Sequence, residues 1–371
     1  MAYDERLSVV EWSRSANLTA LRLLGNGDDV DPGVPARMST SSLSRRILGA
    51  LAAIVVLSGA AGCFGGPSGD ASGSGGAVEK PDITIGVVPS IGMAPLYVAQ
   101  DEGLFEKEGL NVKLVTLSGG GESLTGLLGG DVDFSFANYP MLVRAQQKGQ
   151  GKVKVKIVAD AVAAKPGSAA VVVPRDSPLR DPSDLEGKKI AVPATNSVAD
   201  LAVMSGMKAA RADPSGIKWK SLSYPSMLPK LQGGDIDAAF LEEPYLSVAQ
   251  AQLGVWTVIQ PMAGRLDGIG LSGYAALEKT TQAYPNTVAA FQRAVTDAHR
   301  AATTPQGQNA LNKALIEQIH VQPEIAAVLH LPAYPLTADP TRLQRVPDLM
   351  RQFGLIKEPF DIKPMILENK S

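Results

Sequence analysis

The 371-residue sequence holds a single cysteine, Cys63, and only three histidines, His299, His320 and His330. One cysteine excludes an internal disulfide and a thiolate metal centre by arithmetic. The three histidines all fall late in the chain, and no nucleophile with a neighbouring base can be assembled, so neither catalytic residues nor metal ligands nor a cofactor are expected. Charge of either sign is not in excess. The 35 Lys and Arg against 37 Asp and Glu give a net charge of −2, with a pI near 6.0. No basic run is interleaved with the sparse aromatics, which excludes a nucleic-acid partner. A Walker-type phosphate loop is missing too, which argues against ATP hydrolysis by this chain. What is present is a 45 % hydrophobic complement with 19 % charge, which marks a globular protein with sizeable cores.

The first eighty residues account for the cysteine. Arg45-Arg46 precede an apolar stretch over 47–57, too short to span a bilayer comfortably, and Ser58-Gly59-Ala60-Ala61-Gly62-Cys63 follows. A charged start, a short apolar run and small residues before a cysteine form a bacterial export signal, expected over 38–62. Ala60-Ala61-Gly62-Cys63 resembles a lipobox, with Ala60 where leucine is usual, so Cys63 is the expected site of lipidation (palmitate). A plain signal peptide, or a single membrane-anchoring helix with an incidental cysteine, is the alternative. Residues 63–80 are Gly- and Ser-rich and read as a tether from that anchor. Residues 1–37 precede Met38, which is the expected translation start; a cytosolic extension is the other reading.

One segment occurs twice. Gly129-Gly130-Asp131-Val132-Asp133-Phe134-Ser135-Phe136 returns 104 residues later as Gly233-Gly234-Asp235-Ile236-Asp237-Ala238-Ala239-Phe240, and the match continues through Pro140/Pro244, Leu142/Leu246 and Gln146/Gln250. Each copy reads as a helix end, a tight turn, a short strand and a proline-opened helix. So long a period predicts two similar lobes rather than a solenoid. Strands are expected at 83–88, 111–117, 153–162 and 169–173, with helices at 94–107 and 122–128 between them. A second lobe is expected over 174–267, with strands at 188–192 and 217–222 and helices at 198–210 and 226–231. The chain then returns through a strand at 269–274 to helices at 285–303, 306–319, 323–329 and 341–353. The expected first lobe is thus 81–173 with 268–371, although an independent helical domain over 277–371 is an alternative. The fold class is α/β.

Two stretches carry a family resemblance: Ile85-Gly86-Val87-Val88 with Ala94-Pro95-Leu96-Tyr97-Val98-Ala99 and Glu102-Gly103-Leu104-Phe105, and Asp237-Ala238-Ala239-Phe240 through Glu243-Pro244-Tyr245. They resemble the sulfonate/nitrate/taurine/thiamine-precursor family of solute-binding proteins. The resemblance implies a type II periplasmic-binding-protein fold of two α/β lobes on a two-strand hinge. It also implies a small-molecule solute, ABC permease partners, a membrane reached through the lipid anchor, and action as a monomer outside the cytoplasm. A lipoprotein sensor without transport is the rival reading. An enzyme resembling the pyrimidine synthase of the same fold lacks its histidine, lysine and cysteine parts here.

Ligands of open α/β sheets sit beyond the carboxyl ends of the strands, so the residues just after each strand are the candidates. They are Ser90, Met93, Gly120, Ser123, Asn138 and Tyr139 in one lobe, and Thr195, Asn196, Ser197, Ser226 and Glu242 in the other. Thr195-Asn196-Ser197 ahead of a helix is expected to leave backbone N–H groups facing an anionic or acceptor-rich group, unless it is an ordinary cap. Glu242 stands where the family commonly carries an aromatic. If it faces the cleft it favours N–H, O–H or cationic groups on the ligand. The Gly-Gly-Asp-x-Asp carboxylates lack calcium-loop spacing and are expected to serve the scaffold.

Overall fold

The computed structural model describes residues 76–117, 120–149 and 154–368. The extension 1–37, the export signal, Cys63 and most of the tether lie outside the described residues, as do Ser118 and Gly119.

Alternating strands and helices build two five-stranded sheets. In the first, strands β1 (Asp82–Val87), β2 (Asn111–Thr116), β3 (Phe134–Asn138) and β4 (Val155–Ala163) come early in the chain, and a late strand, β10 (Gly270–Leu277), completes the order β2-β1-β3-β10-β4. Strands β1, β2 and β3 run parallel while β10 runs against both β3 and β4. The second sheet repeats the plan with β5 (Ala169–Val173), β6 (Lys189–Val192), β7 (Lys218–Ser221), β8 (Ala238–Glu242) and β9 (Trp256–Ile259) in the order β7-β6-β8-β5-β9. Strand β5, expected at the end of the first lobe, therefore opens the second; it pairs antiparallel with β8 and β9. Its run of Ala and Val is buried throughout, which is the composition of a strand covered on both faces.

The first crossing between lobes is consequently at 164–168 and the return at 262–269. The two crossings are stitched by backbone bonds: Ala164 N–H donates to the Ile269 carbonyl, and Gly268 N–H donates to the Ala164 carbonyl. The helix expected over 94–107 is broken into Ala94–Asp101 and Leu104–Lys107 by a turn at Gly103, whose φ is +65°.

The duplicated segment lands on equivalent strands, β3 and β8, each next to the first parallel strand of its lobe. Its second aspartate does one job twice. Asp133 accepts from the Thr84 N–H at 2.9 Å and Asp237 from the Lys189 N–H at 2.7 Å, each clamping the start of the neighbouring strand; Asp133 also pairs with Lys80. Gly130 and Gly234 sit at φ +84° and +75°, the left-handed conformation that these tight turns need. The second aspartates thus serve the scaffold by tying strand to strand.

Helices cover both sheets. Pro285–Ala301 stacks Phe291 on Phe134, with ring centroids 4.4 Å apart, against the first sheet. Pro340–Gln352 packs beside the helix Tyr139–Lys148. Isolated bridges pair Ile157 with Ile366 and Ala163 with Ala333, so the C-terminal segment braces the first sheet.

Candidate functional site

In a doubly wound sheet the crevice opens where successive connections leave a strand pair in opposite directions. In the first lobe that point lies between β1 and β3, in the second between β6 and β8. The loops converging there are 88–93 and 138–139 on one side, and 193–197 and 242–244 on the other. The expected candidates lie at these loops or in the neighbouring connections, but they divide into accessible and interior groups.

Ser90, Asn138, Ser197, Ser226 and Glu242 are half-buried, while Thr195 and Asn196 are exposed. Met93, Ser123 and Tyr139 are fully buried and form no wall. Ser123 is held inside by hydrogen bonds with Ser135 and the Phe136 carbonyl. Tyr139 turns into the sheet: its hydroxyl donates to Asp160 Oδ1 at 2.8 Å, and Asp160 is paired in turn with Arg342 of the C-terminal helix. Position after a strand does not fix direction, because neighbouring residues at a helix start point to opposite sides. Asn138 takes the outward place and caps the helix, its Oδ1 accepting from Met141 N–H at 3.0 Å. Gly120 begins the helix Gly120–Gly129.

The helix start at Ser197 also differs from the expectation. Ser197 Oγ accepts from Ala199 N–H at 3.2 Å, and the Asp200 carboxylate accepts from the N–H groups of Asn196 at 2.6 Å and Ser197 at 2.7 Å. This capping box consumes the donors expected to meet an anionic ligand and adds a negative charge at the positive end of the helix. Asp200 is buried, and burial raises its pKa against the opposing pull of those N–H bonds. Asn196 reaches the turn with φ +57°, a conformation that asparagine tolerates.

The two glutamates after β8 have separate fates. Glu243 is buried behind a cis peptide to Pro244; its carboxylate accepts from Ser247 N–H at 3.0 Å, Ser247 Oγ–H at 2.9 Å and the His330 N–H at 3.3 Å. It ties the second lobe to the C-terminal segment. Glu242 instead accepts a hydrogen bond from the Tyr224 phenol, and Tyr224 stacks on Tyr245 with ring centroids 5.1 Å apart. Burial pushes the Glu242 carboxyl up, the Tyr224 bond opposing it; burial and the Glu242 charge together push the phenol well up. Tyr224 and Tyr245 neighbour a candidate without having been singled out as candidates themselves. Both open helices that follow strands of the second sheet, which is the signal that could have found them.

Two of the three histidines make contacts within the fold. His299 is buried, with Nδ1 bonded to the Pro335 carbonyl, and desolvation lowers its pKa to about 4; His330 lies beside Glu243. Among the described residues no group of three or more His, Cys, Asp and Glu gathers to hold a metal.

Two α/β lobes joined by two stitched crossings, each lobe with its own switch point, make the type II periplasmic-binding-protein fold. The chain belongs to the NMT1-like family, whose profile matches residues 76–317. It is 25 % identical to the taurine-binding periplasmic protein of Escherichia coli over 226 residues, 60 % of this chain and 68 % of that protein. Solved structures share the fold. The alkanesulfonate-binding protein SsuA of Xanthomonas axonopodis pv. citri bound to MOPS superposes with a TM-score of 0.65 at 20 % identity, covering 78 % of this chain and 99 % of that one. The aliphatic sulphonate-binding protein SsuA of Escherichia coli gives 0.66 at 21 % identity, with the same coverage.

Proposed function

We propose that this chain is the extracytoplasmic receptor of an ABC importer: a monomer tethered by a lipid on Cys63 that closes its two lobes on a small solute and delivers it to membrane permease subunits. The observation that carries the reading is the pairing of two switch-point crevices across two short crossings. Such crossings bend at few residues while each lobe stays rigid. The taurine-binding and alkanesulfonate-binding proteins it is similar to support a small organic solute. The lipobox-like Cys63 and the Gly/Ser-rich stretch after it support anchoring. Binding rather than catalysis fits a cleft whose loops hold no histidine or cysteine.

Small-angle scattering tests the closure directly: adding a bound solute should shrink the radius of gyration, and an unchanged radius at saturating solute would refute the two-lobe mechanism. Labelling with a palmitate analogue should mark the wild type and leave Cys63→Ala unlabelled; equal labelling would refute the anchor.

A further inference from the structure

The cleft has a one-sided charge. The loops that follow the strands at the two switch points and their neighbours, 88–93, 138–140, 193–197, 222–226 and 242–244, contain no Lys, Arg or His. The basic residues of the crossings, Lys165 and Arg265, are exposed at the hinge, and the exposed His330 ring lies 3.7 Å from Glu243, the carboxylate already engaged. A fully charged anion entering this space would meet only backbone and hydroxyl dipoles, and the best-placed dipole, the start of the helix Val198–Ala209, is already answered by Asp200. No cationic side chain of these loops offsets the charge of a sulfonate or nitrate, which would rest on those dipoles alone.

Two carboxylates stand immediately after β8, and only one is spent. Glu243 is held on three donors from Ser247 and His330. Glu242 is half-buried, and among the described residues its one hydrogen-bond partner is Tyr224. A carboxylate has about four acceptor sites, so it retains room for N–H donors. The stacked Tyr224 and Tyr245 rings beside it offer an apolar, electron-rich surface of the kind that accommodates an alkylammonium.

Resting on the solute-binding reading above, we propose that the solute of this cleft carries a protonated amine, seated on Glu242 and flanked by the Tyr224–Tyr245 pair. Any acidic group on the same molecule is the lesser determinant. The Tyr224 bond holds the Glu242 carboxylate in position, so Tyr224 is a positioning residue and Glu242 the ligand contact.

The experiment is isothermal titration of the full-length protein with taurine, ethanesulfonate, nitrate, putrescine and ethanolamine, using wild type, Glu242→Gln and Tyr224→Phe. Taurine and ethanesulfonate share the sulfonate and differ in the ammonium, so their ratio isolates the amine. The wild type should bind at least one amine-bearing probe and prefer taurine over ethanesulfonate. Glu242→Gln, which keeps the shape and the Tyr224 bond, should weaken amine-bearing probes about 10- to 100-fold, the effect of losing a charge-assisted hydrogen bond, and abolish the preference. Tyr224→Phe should weaken them less, and thermal melts should show both variants folded. Ethanesulfonate or nitrate binding better than every amine, or amine affinities unmoved by Glu242→Gln, overturns the inference and leaves the binding-protein reading standing. Failure of all five probes to bind overturns the amine assignment, and a radius of gyration unmoved by a wider solute screen would then overturn the parent reading separately.

Discussion

The Tyr139–Asp160–Arg342 network allows a prediction whose sign is set by competition between two large effects. Asp160 has a side chain with no exposure, and desolvation raises its pKa from 3.8 to about 6 in spite of the Arg342 charge and the Tyr139 and Arg342 hydrogen bonds, which pull it down. A native pKa above the unfolded one means that the folded protein holds the proton more tightly between those values. The stability this lends is fully present below pH 3.8 and is lost as pH rises through about 6. At 1.36 kcal/mol per unit, the loss across that window is about 3 kcal/mol. Asp160→Asn removes the titration while still able to accept from Tyr139 or Arg342, so the wild-type-minus-variant difference cancels the other carboxylates. Urea denaturation at half-unit steps from pH 3.5 to 8 should show the wild type losing about 3 kcal/mol relative to the variant. Were the Arg342 ion pair dominant, the native pKa would lie below 3.8 and the difference would rise with pH; a flat or rising curve refutes the reasoning.

Three further outcomes follow from single contacts. A Cβ at Gly273 would lie 2.6 Å from Tyr139 Oη and 2.9 Å from the Ala159 carbonyl oxygen, so Gly273→Ala should cost about 2–3 kcal/mol by chemical denaturation. Asp237→Ala should cost about 1–2 kcal/mol through loss of the Lys189 clamp, and Asp133→Ala more, because Thr84 and Lys80 both lose a partner. Glu243→Ala should leave the donors of Ser247 and His330 without their acceptor and cost about 2 kcal/mol, with faster hydrogen exchange at 164–168.

The lobes were legible because the duplicated turn is a local signal: Gly130 and Gly234 need left-handed backbone, and a short apolar strand must follow. Directions at the strand ends were less so. Asn138 and Tyr139 are adjacent, yet one caps a helix at the crevice and the other reaches Asp160, a partner fixed by Arg342 from 182 residues further along. No local pattern encodes that contact. The Ser197-x-x-Asp200 spacing, by contrast, is a capping-box signature present in the sequence, and reading it would have shown those N–H groups to be committed. The placement of β5 turned on pairing with β8 and β9, which a run of buried Ala and Val cannot specify by itself.

In the proposed mechanism one solute touches both lobes at once. Hydrogen exchange of the full-length protein, with and without the tightest-binding amine of the panel, tests it most directly. Protection should appear together at 88–93 and 138–140 in the first lobe and at 193–197, 223–226 and 242–244 in the second. Protection confined to one lobe, or falling instead on the outer pocket lined by Pro174, Leu231 and Leu253, would contradict it.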